Sequence, residues 1–176
     1  GTGSIRPRRL NLAEANPADF AAVNKVFICQ ADALSEANAK LLAEFIFSGG
    51  GVVWFLNSPE DATNLRALNG SLGDGGAALQ LGAWHATESI AHARQVMDGD
   101  FRSPFLQLFS GTHLQDLGRL EVYENYSAAY TGAGKKLLTF ADGSPAMTAQ
   151  THGMGQLLLI NFSPNTRYSN LAKLRF

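Results

Sequence analysis

One cysteine, Cys29, stands among 176 residues, so the chain closes no internal disulfide and is no sulfur-stapled scaffold. A single thiol suits a periplasmic protein as well as a cytosolic one and leaves the compartment open. Long apolar runs are missing too. No stretch approaches the roughly 18–20 residues that a membrane-spanning helix needs. Charge of one sign is scarce: 14 Lys and Arg stand against 15 Asp and Glu, for a formal charge of −1. That excludes the electrostatic footprint of a protein built for nucleic acid or an acidic membrane surface. The histidines, His85, His92, His113 and His152, form no i, i+3 or i, i+4 pair. One cysteine does not complete a zinc set, so neither metal nor cofactor is expected.

What is present is enough for a core. Apolar residues make up 45% of the chain, and its length is that of one ordinary domain. The organising stretch runs from Leu34 to Asn57. Ser35 reads as an N-cap, and Glu36 suits the positive end of a helix dipole. Glu36, Lys40 and Glu44 form a solvated stripe, while Leu41, Leu42, Phe45 and Ile46 gather on the opposite face. Ser48-Gly49-Gly50-Gly51 stops the helix, and Val52-Val53-Trp54-Phe55-Leu56 follows with no polar alternation. That run predicts a strand covered on both faces.

Residues 1–24 form a polar, irregular lead, with a short helical turn expected from Pro17 to Val23. Lys25-Val26-Phe27-Ile28-Cys29 is a second buried strand. With the central helix and the strand after it, this makes a right-handed parallel βαβ unit. A short helix is expected over Pro59 to Leu68 and a flexible loop over Asn69 to Gly76. The middle reads as irregular with short strands, Arg119 to Tyr123 among them, and a small helix from Asp100 through Phe109. Beyond it, Lys136–Phe140 and Ala146–Gln150 flank an Asp142-Gly143 hairpin turn. Gln156 to Phe162 is the third buried run.

Candidate chemistry collects at the strand ends. Gln30, Asp32, Asn57, Ser58, Ser163 and Asn165 follow the three buried runs. If those strands are parallel neighbours, the six share the rim where open α/β sheets bind ligands. They offer amide and hydroxyl hydrogen bonds but no acid–base pair, and turn chemistry or helix capping is the competing reading. Cys29 lies on the same rim and would be the nucleophile of a cysteine-dependent enzyme. Its flanks lack the tight glycine geometry of a nucleophile elbow, and free cysteine is often simply buried. The Gly70–Gly76 stretch lacks the Lys-Ser/Thr ending of a phosphate-binding loop. Trp84, Tyr123, Tyr126 and Tyr130 offer either a contact surface or core.

The helix–Gly49-Gly50-Gly51–Val52-Val53 unit resembles that of the class I glutamine amidotransferase-like superfamily. Further matches are Phe140-Ala141-Asp142-Gly143-Ser144-Pro145-Ala146, Gly153-Met154-Gly155-Gln156-Leu157-Leu158, and Tyr168-Ser169-Asn170-Leu171 with Phe176. These resemble the soluble domain of bacterial BatA-type membrane-anchored proteins, over roughly Val26 to Phe176. The resemblance implies a flavodoxin-like, three-layer α/β/α sandwich, mainly parallel, with an antiparallel hairpin appended. It carries over no catalytic residue, since Phe55-Leu56-Asn57-Ser58-Pro59 replaces the elbow and no histidine has Glu at i+2. It implies a pseudoenzyme: a non-catalytic interaction or ligand-binding domain, cut from a longer bacterial inner-membrane-anchored protein. The domain would be periplasmic, partnered by an envelope protein or a small ligand, and tied to the membrane only through segments outside this chain. The alternative is a divergent glutamine amidotransferase or hydrolase using Cys29.

Overall fold

The computed structural model describes residues 6–87, 90–109 and 117–173. Helix α1 (Pro17–Phe20) is a single turn closed by a capping box, in which Asn16 accepts from Ala18 N and Asp19 reaches back to Asn16 N. Strand β1 (Lys25–Ile28), helix α2 (Glu36–Phe47) and strand β2 (Gly51–Phe55) follow in the expected order. Ser35 caps α2 by accepting from Asn38 N at 3.1 Å. Helix α3 (Asp61–Leu72) leads through a 3₁₀ turn, Gly73–Gly75, into β3 (Leu79–Ala86). The remaining strands are β4 (Arg94–Gly99), β5 (Glu121–Val122), β6 (Glu124–Tyr130), β7 (Lys135–Phe140), β8 (Pro145–His152) and β9 (Gly155–Ile160).

Seven strands form one sheet in the order β1-β2-β9-β8-β7-β4-β5, and β3 pairs with β6 in a separate ribbon. Among the described residues only β1–β2 and β2–β9 are parallel; β9–β8, β8–β7, β7–β4 and β4–β5 are antiparallel. The expectation of a mainly parallel sheet with one appended hairpin is therefore corrected. Asp142-Gly143 and Gly153-Met154 are tight turns, and turns this short join only antiparallel neighbours. The apolar run of β9 hid its double role, parallel to β2 on one side and antiparallel to β8 on the other.

The three-layer, flavodoxin-like α/β/α arrangement is corrected as well. One sheet face is covered by helices: Leu42 and Ile46 of α2 and Leu65, Leu68 and Leu72 of α3 pack on Val52, Trp54, Leu157 and Leu159. The ribbon joins this core through Leu79 and Tyr126. The opposite face, carrying Leu138, Met147, Leu158 and Ile160, meets Leu106, Leu117, Leu120 and Val122. Those residues come from a 3₁₀ turn (Pro104–Phe109), its flanking turns and the short β5. The second helical layer is thus replaced by irregular chain. β2 is consequently not covered on both sides: Val52 and Trp54 are buried, whereas Gly51, Val53 and Phe55 are half-buried.

α2 meets the start of β9 so closely that a Cβ on Gly155 would fall on the carbonyl oxygens of Ile46 and Gly50. Main-chain bonds knit the same corner, with Met154 N donating to Phe47 O and Gln156 N to Gly50 O.

Candidate functional site

The carboxyl ends of β1, β2 and β9 do converge. Asn57 Nδ2 donates to the carbonyl of Cys29 and, at 3.2 Å, to Ser163 Oγ, so one side chain ties all three strand ends together. Ser163 Oγ also accepts from Asn165 N at 3.1 Å, and its carbonyl accepts from the Ser169 hydroxyl. Asn57, Ser58 and Ser163 are buried. Gln30, Asp32 and Asn165 lie on the surface. The Asp32 carbonyl accepts from Asn64 Nδ2 at 3.1 Å, apart from that network. Of the six expected residues, Asn57, Ser58 and Ser163 are brought together in a buried network, Asn165 joins it through its main-chain N–H, and Gln30 and Asp32 stand outside it.

The centre of that network is a residue the sequence reading passed over. Asp61, with no exposed surface, accepts from Trp54 Nε1 at 3.0 Å, Asn57 N at 2.8 Å and Ser58 N at 3.0 Å. Burial pushes its carboxyl up to about 6, against those three donors, and the neighbouring Glu60 charge adds to the rise. The Tyr126 hydroxyl donates to Ser58 O and accepts from Ala62 N at 3.2 Å. Burial, with Asp61 and Glu60 nearby, pushes that phenol up to about 12. Asn161 completes the closure, its amide accepting from Tyr126 N at 3.0 Å and donating to Tyr126 O at 2.8 Å. A signal for Asp61 was available: Ser58-Pro59-Glu60-Asp61 has the S-x-x-D spacing of a helix start. Tyr126 and Asn161 had none, because they meet only across the tertiary fold.

Chemically, the rim is spent on holding itself together. Asn57 Oδ1 is its buried acceptor without a partner among the described residues. Cys29 is exposed, and among the described residues no histidine hydrogen-bonds to it. His152 pairs with Gly155, at the opposite end of β9 from the rim, five strand residues or roughly 17 Å away. His85 and His92 are exposed, and His113 lies outside the described residues. The expectation of His152 as a turn residue is corrected. It ends β8, is buried beside the Phe47 ring, and burial holds its imidazole below the ordinary range. Thr148, Gln150 and His152 share the helix-side face of β8, each with a buried atom lacking a partner among the described residues. Among the described residues, no three His, Cys, Asp or Glu side chains are grouped to hold a metal ion. No described helix is long and apolar enough to cross a membrane.

The aromatic candidates divide. Tyr126 is core, with the Trp84 ring edge-on to it at 4.9 Å; Tyr123 and Tyr130 are half-buried. Two open grooves flank the sheet. One, of about 620 Å³, lies between α3 and β3; the other, of about 530 Å³, lies beside Phe105, Lys135 and Thr151.

No protein-family model matches this chain, and no curated protein matches it. Solved structures do match in fold. The cytoplasmic protein STM1381 from Salmonella typhimurium LT2 aligns with a TM-score of 0.58 at 10% identity, over 86% of this chain and 65% of that one. The cytoplasmic protein STM3548 from Salmonella typhimurium aligns at 0.56 and 8% identity, over 85% and 65%. Gan42B, a GH42 β-galactosidase from G. stearothermophilus, aligns at 0.54 and 16% identity, over 81% of this chain but 19% of that one. The chain thus spans about a fifth of the glycosidase and under two thirds of the Salmonella proteins. At these identities the likeness concerns the fold alone. The neighbours are glycoside hydrolases and Salmonella cytoplasmic proteins, and nothing in them indicates a class I glutamine amidotransferase-like domain. The amidotransferase-like, BatA-type resemblance is therefore withdrawn. Its motifs, a glycine helix stop before a strand and an Asp-Gly hairpin, are local solutions that many folds share.

Proposed function

We propose that this domain works by binding protein through an open sheet face rather than by catalysis. The observation that carries the reading is Phe27, 63% exposed on edge strand β1. It pairs in register with half-buried Val53, on the face turned away from α2 and α3, with Phe55 two residues along β2. An exposed aromatic beside a half-covered apolar strip, on an edge unpaired among the described residues, is what a partner surface would bury. The occurrence of the fold within a much longer chain, the glycosidase, supports a face that packs on a neighbouring domain. The closed rim supports it from the other side, since Asn57 Nδ2, Ser163 Oγ and Asp61 are held in hydrogen bonds within the rim and leave no acid–base pair. The cell-envelope setting implied by the withdrawn resemblance forms no part of the proposal.

Cys29 is exposed and follows Phe27 by two residues, just past the end of β1, which puts a label within reach of that face. A benzophenone maleimide on Cys29 is expected to cross-link the chain to its partner, and Phe27→Asp to abolish the adduct while leaving the fold intact. Cys29 alkylation with a midpoint far below about 8.5 would sink the reading, because an activated thiolate belongs to an enzyme. A second reading, a small ligand at the rim, is favoured by the unpartnered Asn57 Oδ1. A thermal-shift screen of small metabolites tests it, with hits required to vanish in Asn57→Leu.

A further inference from the structure

Three side chains of β8 face the helical side of the sheet in succession, Thr148, Gln150 and His152, each at least nine-tenths buried. Thr148 Oγ1, Gln150 Oε1 and His152 Nε2 have no hydrogen-bond partner among the described residues. A buried polar atom without a partner costs free energy, and water reaching it recovers that cost. What matters for this row is which of its walls can yield.

One wall is fixed. The His152 ring lies edge-on to Phe47 of α2, with 6.2 Å between centroids. At that corner Met154 N donates to Phe47 O at 3.1 Å and Gln156 N to Gly50 O at 3.2 Å, and Gly155 leaves no room for a methyl. The other wall is the 3₁₀ turn Gly73–Gly75 that follows α3. A Cβ on Gly75 would stand 3.7 Å from both Gln150 Nε2 and His152 Cε1, so the turn closes directly over these two side chains. Gln150 Nε2 ties it to the sheet by donating to Gly75 O at 3.1 Å. Gly73, Gly75 and Gly76 also line the groove of about 620 Å³ between α3 and β3. The turn is thus a partition, with the groove on one side and the polar row on the other.

His152 sets the state of that partition. Among the described residues no ion pair reaches it. Lys40 and Glu44 of α2 pair with each other at 4.0 Å on the exposed side, and Lys136 of β7, opposite Thr148, lies over the Tyr130 ring at 5.9 Å. Asp74 is the acidic residue of the turn. A neutral imidazole tolerates this site, whereas a buried imidazolium needs water or a counter-charge. Burial accordingly holds the ring below its ordinary value of 6.5. An open turn that hydrates the ring binds the proton more tightly than the closed one. Closure is therefore complete above about pH 6.5 and is lost as pH falls below it.

We propose that the Gly73–Gly75 turn is a proton-operated latch. It stays closed while His152 is neutral and lifts when His152 takes a proton, joining the groove to the polar row. The latch and the Phe27 face are separate, and neither reading depends on the other.

The test is hydrogen exchange of the full chain from about pH 7.5 to about pH 5, read as protection factors with the intrinsic pH dependence removed. Protection over residues 73–77 is expected to fall at least ~3-fold between about pH 7 and about pH 5.5, within the roughly tenfold per unit that one proton permits. Residues 157–159 of β9 should keep theirs. His152→Gln should abolish the fall, and Asp74→Asn should preserve it. Gln150→Leu removes the tie to Gly75 and should lower protection of the turn at neutral pH. Flat protection across the range overturns the proposal, as does a fall shared by β9, which is global unfolding. A turn that tightens on acidification, and ceases to in Asp74→Asn, also overturns it and makes Asp74 the counter-charge. If His152→Gln fails to fold, the wild-type profile and Gln150→Leu still decide.

Discussion

Replacing Asp61 tests the reasoning about the rim, because the prediction has a sign as well as a size. The carboxyl is fully buried, and burial lifts it to about 6 from an unperturbed 3.8. The folded state therefore holds a proton that the unfolded state has released between those two values. A raised carboxyl contributes stability that is complete below about pH 4 and is lost as pH climbs through about 6. A shift of about two units corresponds to ~3 kcal/mol of stability lost across that window. Asp61→Asn has no titration there. It also sets an amide nitrogen against one of three donors, Trp54 Nε1, Asn57 N or Ser58 N, so the variant is less stable at acidic pH. The assay is urea unfolding followed by Trp fluorescence at half-unit steps from about pH 4 to pH 7.5, for both proteins. The wild-type curve should fall towards that of the variant by ~3 kcal/mol as pH rises. Parallel curves would refute the argument. A wild type that gains on the variant with rising pH would show that the three donors outweigh burial.

Other outcomes follow from the packing. Thr148 is fully buried and its hydroxyl lacks a partner among the described residues, so Thr148→Val should leave stability unchanged or raise it by about 1 kcal/mol in thermal unfolding. Gly155→Ala forces a methyl against the Ile46 and Gly50 carbonyls and should cost about 2–3 kcal/mol in denaturant titrations. Asn161→Leu leaves the Tyr126 N–H and C=O without their amide; a loss of about 2–3 kcal/mol is expected, with faster amide exchange at Tyr126. Phe27→Asp should leave the melting temperature within about 2 °C of wild type, because Phe27 is 63% exposed.

Local chemistry was legible in the residues. Ser35 as N-cap, the apolar stripe of Leu42 and Ile46, the glycine stop and the parallel β1–β2 pair all rest on interactions within a few residues or one crossover. The Asp142-Gly143 turn was legible for the same reason. Half of the rim was readable too, because turn residues after apolar strands fall where strands end. Asn57 and Ser163 meet as expected, while Gln30, Asp32 and Asn165 face solvent. β6 escaped notice, since Glu124–Tyr130 carries no clear alternation and gains its strand character from pairing with β3 and from Asn161.

The sequence by itself determined where chain direction changes and which side of α2 is apolar, because dihedral preference and helical period are properties of neighbouring residues. It also excluded an internal disulfide. Tertiary structure alone decided that β9 serves two neighbours of opposite sense, and that irregular chain covers the second face. It alone gathered Asp61, Tyr126 and Asn161 around one turn and, among the described residues, left β1 at the sheet edge. Strand order, burial and the pairing of polar groups depend on which distant residues arrive together, and apolar period carries no record of that.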